Sequence, residues 1–206
     1  MKALIGFSGG IDSLALAYRL TQLGYNVHGV YFRYGQRDEE LNKYTSWSLA
    51  QQLGMPYREV VLPKLKSNVL TDGRGGIPET WTPQYIVPFR NGLFLALLAA
   101  MAEGEGFSAI GLGVHRSDQA WPDCLPQFYD MFSRLLGLAQ CNLKVFTNLP
   151  FGKSQLVRML YEAGEPWRSL LYQTRSCYFT EPPCGKCVAC QERRKAFEEV
   201  GVPLEG

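Results

Sequence analysis

The sequence holds only two histidines, no low-complexity segment and no long apolar run. Lysine and arginine total 21 against 19 aspartates and glutamates, a net charge of +2. A protein that coats nucleic acid needs clustered cations, so direct nucleic-acid binding is not expected. A membrane span needs roughly 18 uninterrupted apolar residues. The longest greasy stretch, Leu93–Ala102, is shorter and alanine-rich. Lys2 is followed by a short apolar run with no cleavage-like site, so no signal peptide is read and a cytoplasmic location is expected. The Walker A lysine is missing, which excludes an ordinary P-loop ATPase, and the absence of GxGxxG weighs against NAD.

What is present is a chain of 206 residues, 46% apolar, enough for one sizeable core. Strand-like segments at 3–7, 26–32, 57–62, 108–114 and 144–149 alternate with helix-like ones at 12–24, 38–53, 90–103, 126–138 and 153–162. That alternation predicts an α/β fold with a doubly wound, mostly parallel sheet. Residues 63–88, rich in proline and glycine, read as a functional lid or a mobile segment. The expected division is an α/β domain over 1–172 and a small metal-stapled module over 173–206.

The string SGGIDS (8–13) stands where the first strand meets the first helix. Gly9 and Gly10 let backbone N–H groups converge on a phosphate, and the helix N-terminus adds its partial positive charge. Ser8 and Ser13 add hydroxyls. Asp12 is placed to cap the helix or to hold a magnesium ion. The plain alternative is a tight, capped turn.

Cys177, Cys184, Cys187 and Cys190 are spaced C-x6-C-x2-C-x2-C. Four thiolates at such spacing suit a closed, structural zinc site. An iron–sulfur cluster is the rival reading, because the CxxCxxC run resembles ferredoxin spacing, although the fourth ligand with its following proline is missing. Cys124 and Cys141 lie outside this group, and Cys141 reads as a buried, small apolar residue.

SGGIDS resembles the pyrophosphate loop of the ATP-pyrophosphatase superfamily, whose members adenylate an oxygen and release pyrophosphate. Together with YGQRDEE (34–40), VPFRNGLFLALLAA (87–100), WPDCLPQF (121–128) and SCYFTEPPCGKCVACQERRKAF (176–197), it resembles the 7-cyano-7-deazaguanine synthase (QueC) family over nearly the whole chain. The resemblance implies conversion of 7-carboxy-7-deazaguanine to the nitrile with ammonia and ATP, zinc on the four cysteines, magnesium with the nucleotide, and a homodimer. It places the ATP phosphates on Ser8, Gly9, Gly10, Asp12 and Ser13.

Arg90 and Asn91, opening an apolar helix, suit a phosphate or carboxylate. A locally paired helix start is their plain alternative. Lys153 is read as a phosphate contact or a solvated lysine. Gln36 and Arg37 follow the second strand at the edge where such sheets bind ligands. Asp123 is read as the acceptor for a guanine-like edge or as the N-cap of helix 126–138. Trp121 and Tyr85 are candidates to stack on a purine or simply to pack. His28 reads as structural, and His115 lies at a strand end near the site.

The family pattern carries histidine where this chain has Asp38, and arginine where it has Leu125. The first change removes a group that exchanges protons near neutral pH. The second removes a cation. Two further readings stay open: an adenylating ligase that stops at the amide or uses another amine, and a non-enzymatic, zinc-stapled nucleotide-binding module. Release of AMP and pyrophosphate separates the last from the others.

Overall fold

The computed structural model describes residues 1–65, 69–71 and 78–204. Residues 66–68 and 72–77, part of the stretch read as a lid, lie outside the described residues. Among the described residues, five strands form one parallel sheet: β1 (Lys2–Gly6), β2 (Asn26–Arg33), β3 (Tyr57–Val61), β4 (Ala109–His115) and β5 (Lys144–Asn148), in the order β3-β2-β1-β4-β5. The helices are α1 (Ile11–Gln22), α2 (Glu39–Gln52), α3 (Arg90–Gly104), α4 (Pro126–Leu138), α5 (Lys153–Glu162), α6 (Trp167–Gln173) and α7 (Val188–Val200). The predicted boundaries are met to within a residue or two. Helices α6 and α7 are elements that periodicity did not find; α7 lies in the stretch read only as a metal-stapled module.

Side chains alternate across β1 and sort the core into two layers. Ala3, Ile5 and Phe7 face α1, α2, α5, α6 and α7, where Leu16, Leu49, Leu160, Leu171 and Phe197 are buried. Leu4 faces the other side with Val30 and Phe32 of β2, against Leu95 and Leu98 of α3 and Phe132 and Leu136 of α4. Removing any such buried leucine to alanine costs about 2–5 kcal/mol. The segment Pro83–Gly104 is long and apolar enough to cross a membrane by length and composition, with half of it buried. Here it is a 3-10 turn, a left-handed residue at Phe89 (φ 56°) and then α3, whose Leu95, Leu98, Ala99 and Ala102 pack on the sheet.

The strand order has one consequence for function. From β1 the chain moves outward to β2 and β3, then returns to lay β4 on the other side of β1. The connections therefore leave in opposite directions at the carboxyl ends of β1 and β4. A crevice opens at such a switch point, where open parallel sheets bind ligands. The SGGIDS loop follows β1, and the residues after His115 follow β4, so both border this crevice.

Candidate active site

At the switch point lies a cavity of about 270 Å³ lined by, among others, Ser8, Asp12, Gln36, Arg90, Asn91 and Lys153. Gly9 has φ +82°, and a Cβ there would lie 2.8 Å from Ser46 N, so both the turn and the approach of α2 require glycine. On the other side, a Cβ on Gly113 of β4 would lie 2.6 Å from Ser13 N. The Ser13 hydroxyl donates to Gly10 O at 3.0 Å and accepts from Ser8 N at 3.2 Å, fixing the loop from within. Helix α1 begins after Gly10 with no side chain capping its first N–H groups. Those donors and the positive end of the helix face the cavity, the arrangement that receives a phosphate.

Lys153, at the start of α5, reaches across to Asp12: Nζ lies 2.7 Å from Oδ2 and 3.0 Å from Oδ1. It also lies 3.3 Å from His115 Nε2. His115, 1% exposed, stands behind this pair at the end of β4. Its Nδ1 accepts from Ser117 N at 3.1 Å, which leaves the ring proton on Nε2, between Asp12 Oδ1 at 3.7 Å and Asp118 Oδ1 at 3.4 Å. Burial works against the Lys153 charge, but Asp12 and Asp118 outweigh it and hold the ammonium above its ordinary pKa. Burial raises the Asp118 and Glu192 carboxyls. Both line the cavity, and neither was singled out in the sequence.

Arg90 and Asn91 meet the same cavity from the head of α3. Arg90 Nη1 donates to the Tyr34 hydroxyl at 3.3 Å. Burial opposes the Arg90 charge, while Tyr34 and Asp123 more than offset it. The Asp123 carboxylate accepts from Asn91 N at 2.8 Å, and the Asn91 amide donates to Asp123 O at 3.3 Å. Asp123 thus serves the start of α3 rather than capping α4, which has no side-chain cap. It is not among the residues that line the cavity.

Gln36 borders the cavity but spends its amide on the turn after β2. It accepts from Tyr34 N at 2.9 Å and donates to Phe32 O at 3.0 Å. Arg37 turns away, its guanidinium 5.0 Å from the Phe179 ring centre. Trp121 lines the cavity. Tyr85 is buried in a separate cluster with Val69, Leu70 and Val87. His28 packs edge-on to Phe107.

The four cysteines of the tail come together. Their sulfurs lie within 4.8 Å of one another, with Cys184 and Cys190 4.0 Å apart. Four sulfurs on one tetrahedral zinc, at bonds of about 2.3 Å, stand about 3.8 Å apart, so the group matches a single ion. Backbone N–H groups point at the sulfurs, from Phe179 and Cys184 to Cys177 at 3.5 and 3.4 Å and from Cys187 to Cys184 at 3.4 Å. Such donors favour thiolates. Cys124 is buried, whereas Cys141 is half-buried, a departure from the buried position expected of it. Cys177 and Tyr178 from this group, with Ala189 and Glu192 of α7, form one wall of the cavity.

Asp38 and Arg175 also lie at the cavity, Arg175 Nε 3.7 Å from Asp38 Oδ2. Burial pushes the Asp38 carboxyl up to about 6 in spite of Arg175. The sequence gives no sign that these two meet.

The model of the family described as "Queuosine biosynthesis protein QueC" matches residues 2–201. The chain is 35% identical over 214 residues to the 7-cyano-7-deazaguanine synthase of a Nitratiruptor species, covering 98% of this chain and 96% of that one. It is 33% identical over 222 residues to the synthase of the same name from Methanospirillum hungatei, covering 98% and 97%. A crystal structure of a 4-thiouridine synthetase–RNA complex with bound ATP shares the fold, with a TM-score of 0.50 at 16% identity over 97% of this chain and 50% of that one. A match this long, on a sheet whose switch point carries the SGGIDS loop, means that the chain belongs to the QueC family of ATP-dependent enzymes, whose curated members bear the name 7-cyano-7-deazaguanine synthase.

Proposed function

We propose that this chain makes 7-cyano-7-deazaguanine from 7-carboxy-7-deazaguanine, ammonia and two ATP. The observation that carries the reading is convergence: the uncapped loop before α1, Lys153, Arg90 and Asn91 all face one cavity at the sheet's switch point. The substrate carboxylate attacks the α-phosphorus of ATP and pyrophosphate leaves. Ammonia then attacks the acyl carbon, AMP leaves, and one proton is released to give the amide. The amide oxygen attacks a second α-phosphorus, and pyrophosphate and one of the two N–H protons leave. Loss of AMP and of the remaining N–H proton closes the nitrile.

This chain's residues do two things in that sequence, alignment and charge neutralisation. Ser8, Gly9, Gly10 and Ser13 take the leaving pyrophosphate. Lys153 and Arg90 face the charge that grows on the α-phosphate. Asn91, whose two amide N–H bonds go to Asp123 O and Cys124 Sγ, offers its side-chain oxygen as an acceptor to the incoming ammonia or the amide. Asp12 orients Lys153 and, with Asp118, supplies the oxygens beside the loop that suit magnesium, which when bound neutralises phosphate charge. Gln36 and Arg37 remain proposed substrate contacts, Arg37 requiring rotation from Phe179. Asp123 acts on the substrate only through Asn91.

The cysteines hold zinc in a structural role and form the core of a 173–206 module that walls the cavity. We further infer a homodimer through the outer face of α4. There Met131, Leu135 and Leu138 are 61%, 56% and 84% exposed beside Phe89 at 67%, an apolar stripe that a monomer leaves in water.

The test is mass spectrometry of products after incubation with the acid, ATP, magnesium and ammonium. Nitrile with two AMP per product is expected. Amide as the only product would replace the second adenylation with a one-step ligase, and no AMP would leave a binding module.

A further inference from the structure

Arg175 joins three parts of the molecule that are separate in sequence. Its backbone N–H donates to Gly9 O at 3.0 Å, and its carbonyl lies 3.4 Å from the place a Cβ on Gly10 would take. Its guanidinium Nη2 donates to Thr180 O at 2.6 Å, and Nη1 pairs with Glu181, both inside the loop from Cys177 to Cys184. Its Nε faces Asp38 Oδ2 at 3.7 Å, at the head of α2. The side chains of Arg175 and Asp38 are 6% and 4% exposed. Neither Arg175 Nε nor Asp38 Oδ2 has another hydrogen-bond partner among the described residues.

The phosphate loop is therefore held from outside by a residue whose own position depends on the cysteine loop. The shape of that loop follows from its sulfurs, because Cys177 Sγ accepts from Phe179 N and Cys184 N on either side of Thr180 and Glu181. If the sulfurs separate, Thr180 O and Glu181 withdraw. The buried guanidinium then keeps only Asp38, and a buried Arg deprived of acceptors moves to recover them. Residue 175 is then anchored by its side chain on one side only, and the hydrogen bond from its N–H to Gly9 O loses its outer support.

We propose that Arg175 is a positioning residue that couples metal occupancy of the four cysteines to the shape of the ATP phosphate loop. The proposal rests on the reading of that loop as an ATP site and of the cysteines as a zinc site. Coupling of this kind is reciprocal: zinc tightens ATP, and ATP tightens zinc by the same factor.

The experiment uses the full chain loaded with zinc, with metal content measured, and a non-hydrolysable ATP analogue titrated by calorimetry. Native protein is expected to lose about tenfold in analogue affinity when zinc is removed. Zinc-loaded Arg175→Ala should show the same loss at unchanged zinc content. Removing zinc from that variant should add little. Arg175→Lys keeps the charge but has no fork to span Thr180, Glu181 and Asp38, so it should not restore affinity. In kinetics, KM for ATP rises while kcat holds, whereas simple destabilisation lowers kcat and leaves KM alone. The analogue should also slow zinc loss to a chelator in the native protein and not in Arg175→Ala. Native affinity in zinc-loaded Arg175→Ala overturns the coupling alone. Failure of the zinc-loaded native protein to bind the analogue removes the ATP reading, and the coupling with it.

Discussion

Lys153 Nζ sits 2.7 Å from Asp12 Oδ2, a contact that ties the first turn of α5 to the first turn of α1 across the mouth of the cavity. The ammonium belongs to the site rather than to solvent, because burial works against its charge and the neighbouring carboxylates outweigh that burial. Lys153→Met is expected to lower kcat for AMP release by about 100-fold or more, the scale of losing one preorganised charge at a developing anion. Asp12→Asn leaves the ammonium without its nearest partner and should also fail. A steady-state assay of pyrophosphate release with either variant checks this. Lys153→Met at near-native rate removes Lys153 from the chemistry.

The cysteine centre makes a sharper division between residues of one type. Cys187→Ser removes a fully buried ligand and should lose the zinc, with a fall in thermal midpoint. Cys141→Ser and Cys124→Ser lie outside the group of four and should keep one zinc per chain. Metal analysis by mass spectrometry on the three variants decides it. Zinc retained in Cys187→Ser, or iron in place of zinc in the native protein, rejects the assignment.

The α4 face yields a prediction about assembly. Tyr129, Phe132 and Leu136 point into the core, while Met131, Leu135 and Leu138 form a second apolar stripe on the opposite side of the same helix. Leu135→Glu with Leu138→Glu puts two charges on that stripe without touching the core. Sedimentation velocity should show a dimer for the native chain and a monomer for the double variant. A native monomer at tens of micromolar withdraws the stripe as an interface.

The sheet and the phosphate loop were legible because each follows from local pattern. Short apolar runs punctuated by glycine predict strands, and SGGIDS declares a turn that brings N–H groups together. Helix α6 was missed because its seven residues, starting after Pro166, carry less than two full turns of periodicity. Asp123 reads as the acceptor for a guanine-like edge, with capping of the next helix as the plain alternative, but its carboxylate turns to Asn91, a partner far upstream. His115 could be placed near the site, yet its role behind Asp12 and Lys153 depends on β4 lying beside β1, which no local signal states. The Asp38–Arg175 pair was invisible for the same reason. What a sequence hides is the partner that a polar side chain takes across the fold.

Asp38 allows that hidden pairing to be tested through pH. Its carboxyl titrates near 6 in the folded protein against 3.8 as the ordinary value, because burial costs more than Arg175 returns. Between those two values the folded state holds a proton that the unfolded state has given up. Native stability therefore falls as pH rises through this window, and above about 7 the penalty is constant. A shift of this size corresponds to about 3 kcal/mol at about 1.4 kcal/mol per unit. Asp38→Asn cannot titrate. Its stability relative to the native chain should rise steadily from pH 4 to pH 6 and then level off, while its difference at pH 4 stays small. Urea midpoints of both proteins at pH 4, 5, 6 and 7.5 read this directly. A difference that is flat across the series means that Asp38 is solvated, and that the buried contact with Arg175 does not form in solution.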